Sequence, residues 1–186
     1  MTVSAPVKPA LQTAEDLERL SAQDCRYELI RGELHERAFA GGLQGSITSR
    51  LSFYVGAVVI SENLGITLAA GTGFLVGRDP DTVLAPDFAF VAKDRLPNPL
   101  PRSYVPVVPD IVLETRSPND TRKEIADKVA QWLELGVKSV WKINPRMRLL
   151  TVYRTNQVPL SLGEGDTLDG GGVLPDLSVP VARLFL

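Results

Sequence analysis

The chain has 186 residues, 44% of them hydrophobic and 23% charged, with a net charge of −2. That balance fits a globular protein of ordinary composition and excludes both a disordered segment and a strongly basic nucleic-acid coat. The lone cysteine, Cys25, forbids an internal disulfide, and the lone histidine, His35, excludes a His/Cys zinc cage.

Residues 1–12, rich in proline and alanine, read as a loose arm, and residues 13–186 as one domain. No secretory leader is expected from the opening residues, and the apolar run Val55 to Ile60 is too short to span a membrane, so a soluble cytoplasmic protein is expected. Thr13-Ala14-Glu15-Asp16 resembles a helix cap, with Leu17 and Leu20 giving a short helix one apolar stripe. Tyr27 to Glu36 reads as a hairpin turning at Arg31-Gly32. A longer helix follows from Gln44 to Asn63, where Ile47, Leu51, Tyr54, Val55, Val58 and Val59 recur at helical spacing and Gly65 closes the element. Ile66 to Val76 is rich in strand formers, with a bend expected at Gly71 and Gly73.

Val83 to Val91 reads as one strand, followed by a proline-rich loop. The strand Ile111 to Thr115 comes next, then a helix from Asn119 to Leu135, capped by Asp120 and stopped by Gly136. Strands at Ser139–Ile143 and Leu149–Tyr153 flank an Asn144-Pro145-Arg146 turn. The remainder alternates short strands with glycine-rich turns and ends in a helical tail. This order predicts a mixed α+β fold: a central mixed sheet flanked by helices, with an N-terminal hairpin and short C-terminal strands.

Two acids carry the chemistry. Asp87 stands in Ala85-Pro86-Asp87-Phe88-Ala89-Phe90-Val91 and Glu114 in Asp110-Ile111-Val112-Leu113-Glu114-Thr115-Arg116. Both runs are apolar enough to be buried, where an unpaired carboxylate is costly and calls for a metal or a cation. Two carboxylates for a divalent ion, with a basic helix close behind, are equipment for metal-assisted phosphodiester hydrolysis. The plainer reading of Pro86-Asp87 is a strand entry whose aspartate satisfies nearby amides. Glu114 resists that reading, and Arg116 two residues on is a poor partner for it. Trp132 and Trp141 read as core packing, and Arg122 and Lys123 as a solvated face or phosphate contacts.

The order of elements, with Pro-Asp entering one strand and an acid inside the next, resembles the PD-(D/E)XK nuclease fold. The series Tyr27 to Leu34, Pro86 to Val91, Glu114 to Asp120, Lys128, Trp132, Gly136-Val137, Trp141 to Pro145 and Val173-Leu174-Pro175 looks like the Uma-two family of restriction-endonuclease-like proteins. The resemblance covers residues 14–186. It implies Asp87 and Glu114 as metal-binding acids, the Thr115 carbonyl as a third oxygen, and Mg²⁺ or Mn²⁺ as the ion. The signature lysine position holds Arg116, a poor base that can share in stabilising the transition state; the resemblance brings Lys128 from the following helix to orient the water and stabilise that state, with Glu28 as an auxiliary acid. Gln44 stands where a histidine is common, and Asn144 where an aspartate is usual. Lys128 also reads as a side chain snorkelling at the edge of an apolar stripe.

The implied function is a Mg²⁺-dependent endonuclease acting on DNA to leave a 5′-phosphate and a 3′-hydroxyl, working as a homodimer. Two alternatives stand beside it: a nuclease-fold protein that serves as a binding or scaffold module, and a hydrolase of another phosphoester.

Overall fold

A computed structural model describes residues 12–21, 27–117 and 120–185. The expected arm, apart from Gln12, and Asn119 at the expected start of the third helix lie outside the described residues. Helix α1 (Ala14–Ser21) leads into the hairpin β1 (Tyr27–Ile30) and β2 (Glu33–Glu36). Its turn falls at Arg31 and Gly32, with φ of 50° and 80°, the left-handed pair that suits a two-residue hairpin. The hairpin joins β4 (Phe74–Gly77) and β5 (Thr82–Leu84) in a four-stranded sheet ordered β2-β1-β5-β4.

The larger sheet has six strands. It contains β3 (Gly65–Ala69), β6 (Phe88–Ala92), β7 (Ile111–Thr115), β8 (Ser139–Asn144), β9 (Leu149–Tyr153) and β10 (Leu160–Leu162), ordered β10-β9-β8-β7-β6-β3. Neighbours run antiparallel except β7 and β8, which are parallel. A parallel pair needs a crossover, and here α3 (Arg122–Glu134) lies between the two strands in sequence. A final hairpin, β11 (Thr167–Gly170) and β12 (Leu174–Pro180), precedes a short 3₁₀ turn at Val181–Leu184.

Both faces of the large sheet are covered. On one, Ile111 and Leu113 of β7 meet Ile47, Leu51 and Val55 of α2 (Gly42–Ser61) in the main core. On the other, Val112 packs with Val129 and Trp132 of α3. A central strand buried on both sides must be a continuous apolar run, which is what Ile111-Val112-Leu113 supplies. By the strand period Glu114 shares the α3 side with Val112.

Three details depart from the sequence expectation. The run from Val83 to Val91 is two strands in different sheets, because Pro86 has no N–H to continue a ladder and the chain crosses between sheets at Ala85-Pro86-Asp87. Asn63, with φ 52°, makes the left-handed turn after α2, whereas Gly65 opens β3. Gly65 lies so close to β6 that a Cβ there would meet the Val91 carbonyl oxygen at 2.1 Å. The α3 cap is Thr121 rather than Asp120: Thr121 accepts from the Glu124 N–H while the Glu124 carboxylate accepts from the Thr121 N–H. Asp120 instead accepts from the Ser117 N–H at 2.8 Å. Gly136, with φ 95°, follows α3 as expected.

The reciprocal cap anchors the helix that carries Lys128 and Trp132. Thr121→Ala should lower the unfolding free energy by about 1 kcal/mol in urea denaturation; an unchanged midpoint would contradict the role of the cap.

Candidate active site

The two ends of β7 treat buried acid differently. At its start, Asp110 is wholly buried and fully neutralised: Arg95 and Lys138 each reach it at 2.8 Å, and the Ala92 N–H donates to it at 2.8 Å. Burial raises the Asp110 pKa, but Lys138, the Ala92 amide and Arg95 outweigh it and hold the carboxyl below its usual value. At the other end, Glu114 is 4% exposed. Its Oε1 accepts a hydrogen bond from Trp132 Nε1 at 2.9 Å. Among the described residues its Oε2 has only two longer ion pairs, Lys128 Nζ at 3.6 Å and Arg37 at 3.9 Å. Glu114 is pushed up to about 8 by burial, then by the negative charges of Asp87 and Glu28, against the pull of Arg37 and Trp132.

Asp87 meets Glu114 through strand register. Phe88 pairs with Leu113, so Asp87 stands one step further on, opposite Glu114, and its N–H donates to the Leu113 carbonyl at 3.0 Å. Asp87 Oδ2 accepts from the Thr115 N–H at 2.7 Å and from Gln44 Nε2 at 3.1 Å. The same Gln44 amide donates to the Thr115 carbonyl at 3.2 Å. Gln44, in the first turn of α2, thus touches Asp87 and the Thr115 carbonyl together. Thr48 holds the Thr115 hydroxyl at 3.3 Å from the same helix.

Glu28 enters from the smaller sheet. It is buried, accepts from the Ala85 N–H at 2.9 Å, and pairs with Arg37 at 3.4 Å. Burial and the charge of Asp87 raise its pKa, with Arg37 and the Ala85 amide opposing. The site therefore forms where the chain leaves one sheet for the other, with an acid on each side of the crossing and one at it. Glu28, Arg37, Gln44, Asp87, Thr115 and Lys128 line a cleft of about 1420 Å³.

Of the residues singled out from sequence, Asp87, Glu114, Thr115, Glu28, Gln44 and Lys128 converge. Arg116 turns elsewhere, donating to the Asp120 carbonyl at 3.2 Å. Lys123 is exposed and pairs with Asp127, and Arg122 is exposed. Trp132, expected as packing, packs and also donates to Glu114 at 2.9 Å.

Two further cations escaped the sequence reading. Arg37 follows β2 in irregular chain and carries no motif. Lys142 lies in β8, in register beside Glu114 and buried. Burial lowers its pKa, and Glu114, Asp120 and Asp87 oppose that fall while Arg116 adds to it. A lysine inside the apolar run Ser139-Val140-Trp141-Lys142-Ile143 was the available signal.

A family model, Uma2, described as "Putative restriction endonuclease", matches residues 14–182. The chain belongs to the Uma2 family. A crystal structure described as "a putative nuclease belonging to DUF820 from Anabaena variabilis" has the same fold, with a TM-score of 0.80 and 19% identity over 93% of this chain and 97% of that one. No curated protein matches. Among the described residues no helix of this Uma2 chain is long and apolar enough to cross a membrane.

The raised Glu114 pKa has a consequence for stability. As pH rises from the ordinary value of 4.5 towards about 8, the unfolded chain loses the Glu114 proton while the folded protein keeps it. The folded state then binds more protons, so this contribution is full below the ordinary value and is lost as pH rises through about 8. The urea midpoint of the Uma2 chain without added divalent ion should fall between about pH 5 and about pH 8 more steeply than that of Glu114→Gln. Parallel profiles would contradict the assignment.

Proposed function

We propose that this Uma2 protein is a divalent-metal-dependent endonuclease that hydrolyses DNA phosphodiester bonds at the Asp87–Glu114 site. The observation that carries the reading is the contrast between Asp110, closed by two cations at 2.8 Å, and Glu114, equally buried but held by cations only at 3.6 and 3.9 Å. A buried carboxylate left this incompletely compensated is a costly feature for a site with a purely structural role.

The residues present fit a hard cation. Asp87, Glu114 and the Thr115 carbonyl offer three oxygens at adjacent positions of neighbouring strands, the donor type that Mg²⁺ and Mn²⁺ prefer. Among the described residues no group of three His, Cys, Asp or Glu side chains gathers as a metal cage, so the set proposed is two carboxylates and a carbonyl. When bound, such an ion would polarise the scissile phosphate and acidify the attacking water.

The chain's own groups have separate tasks. Asp87 and Glu114 hold the ion, and the Gln44 amide fixes Asp87 and the Thr115 carbonyl in one orientation. Lys128, on the cleft wall beside Glu114, orients the attacking water and stabilises the negative charge that builds on phosphorus oxygens. Attack by water on phosphorus breaks the bond to the 3′ oxygen, leaving a 5′-phosphate and a 3′-hydroxyl. Arg116, bonded to the Asp120 carbonyl, has no part in this scheme. Cutting both strands calls for two sites, which a homodimer would supply; a reducing cytoplasm would suit the single cysteine.

A second reading has its own observation. Besides Glu28 and Asp87, Glu36, Asp120, Glu124, Asp127 and Glu134 also line the cleft, against Arg31, Arg37 and Lys128. An anionic rim repels nucleic-acid phosphates, which favours a nuclease-fold binding module with no turnover.

Cleavage separates the two. Plasmid DNA should be nicked or cut with Mg²⁺ or Mn²⁺, and chelator, Asp87→Ala or Glu114→Ala should abolish the reaction. Lys128→Ala should retain metal binding while losing roughly 10²-fold or more in turnover. Metal binding without cleavage across duplex, single-stranded and nucleotide substrates would give the binding module the stronger case.

A further inference from the structure

Among the described residues Arg37 alone pairs with acids from both sheets, reaching Glu28 at 3.4 Å and Glu114 at 3.9 Å. Both distances exceed the usual range for a charged hydrogen bond, and the side chain is 28% exposed, so it is held by charge more than by fixed geometry. Its backbone follows the last residue of β2, an edge strand, and lies outside any ladder. Among the described residues its backbone makes no ladder pair. Lys128, by contrast, stands on α3 and, among the described residues, pairs with Glu114 alone of the acids. Arg37 also lines the cleft, within reach of whatever enters it.

We propose that Arg37 is an internal counter-ion of the acid cluster, competing with a divalent cation for Glu114 and, once displaced, pairing with a substrate phosphate. This rests on the metal-site reading above. The physical basis is that Glu114 has a single oxygen facing both cations, and a dication outweighs a guanidinium held loosely at that oxygen. The displaced guanidinium keeps Glu28 as a tether and presents a planar donor fork suited to phosphate oxygens. An anionic cleft thereby gains a positive group for substrate when the ion arrives.

The test is calorimetric titration of the full chain with Mn²⁺ alone. Arg37→Gln should bind Mn²⁺ about fivefold or more tightly than wild type, a coupling of the usual size for two ligands sharing a site. Arg37→Lys, which keeps the charge, should stay near wild type. Equal or weaker binding by Arg37→Gln would overturn the inference, because a supporting or structural residue cannot tighten the site when removed. A second readout covers a poorly folding variant: the Arg37 Nε–H resonance of wild type, identified by its loss in Arg37→Lys, should shift and sharpen on adding Mg²⁺. An unmoved resonance at saturating Mg²⁺ would overturn the proposal as well. If wild type shows no Mn²⁺ binding that Asp87→Ala removes, the metal-site reading fails and takes this inference with it. If that binding is present and Arg37→Gln is no tighter, only the Arg37 role fails.

Discussion

A carboxylate at the end of a strand buried on both faces constrains everything around it. Glu114 follows Ile111-Val112-Leu113 into the interior, and its charge there has to be met by neighbours or given up to a proton. The surroundings do both in part. Trp132 donates to one oxygen, Lys128 and Arg37 stand off the other, and Asp87 and Glu28 add charge of the same sign. Asp110, four residues earlier and just before the same strand, shows that the fold can close a buried acid with two near cations. Its different treatment of Glu114 leaves this end of the strand incompletely closed, and the cation site is proposed there.

The architecture explains how Asp87 and Glu28 come near enough to Glu114 for their charges to act on it. Pro86 ends the ladder of the small sheet, and the chain re-enters hydrogen bonding at Asp87, whose N–H donates to β7. That crossing sets Asp87 opposite Glu114 and leaves the Ala85 N–H for Glu28. Helix α2 then brings Gln44 to Asp87 and the Thr115 carbonyl, and α3 brings Trp132 and Lys128 to Glu114. Each helix packs through an apolar face and ends up presenting polar groups at the same point. The mixed sheet thus serves as a support, and Arg37 reaches Glu28 and Glu114 from irregular chain after β2.

Much of this was legible in the sequence, for identifiable reasons. The α2 stripe, the Arg31-Gly32 hairpin turn and the Gly136 stop have local causes, and all three are in the structure. Asp87 and Glu114 stood out because acids interrupt apolar runs. The division of Val83–Val91 between two sheets was not legible: residues on either side of Pro86 are equally apolar, and only sheet membership tells them apart. Thr121 and Asp120 are both good capping residues, and the choice depends on which one Glu124 can answer. Arg37 left no trace, since its role depends on the hairpin folding back beside a strand far along the chain. Lys142 did leave one, a charge within an apolar strand, and its register beside Glu114 follows from the β7–α3–β8 crossover.

The central claim is that the acids gathered where β6 meets β7 form a cation site. Anomalous diffraction from crystals grown with Mn²⁺ tests it most directly. The account predicts a manganese peak between the Asp87 and Glu114 carboxylates and the Thr115 carbonyl, absent from crystals of Asp87→Ala. No peak at that position under saturating Mn²⁺, or a peak that persists in Asp87→Ala, would contradict it.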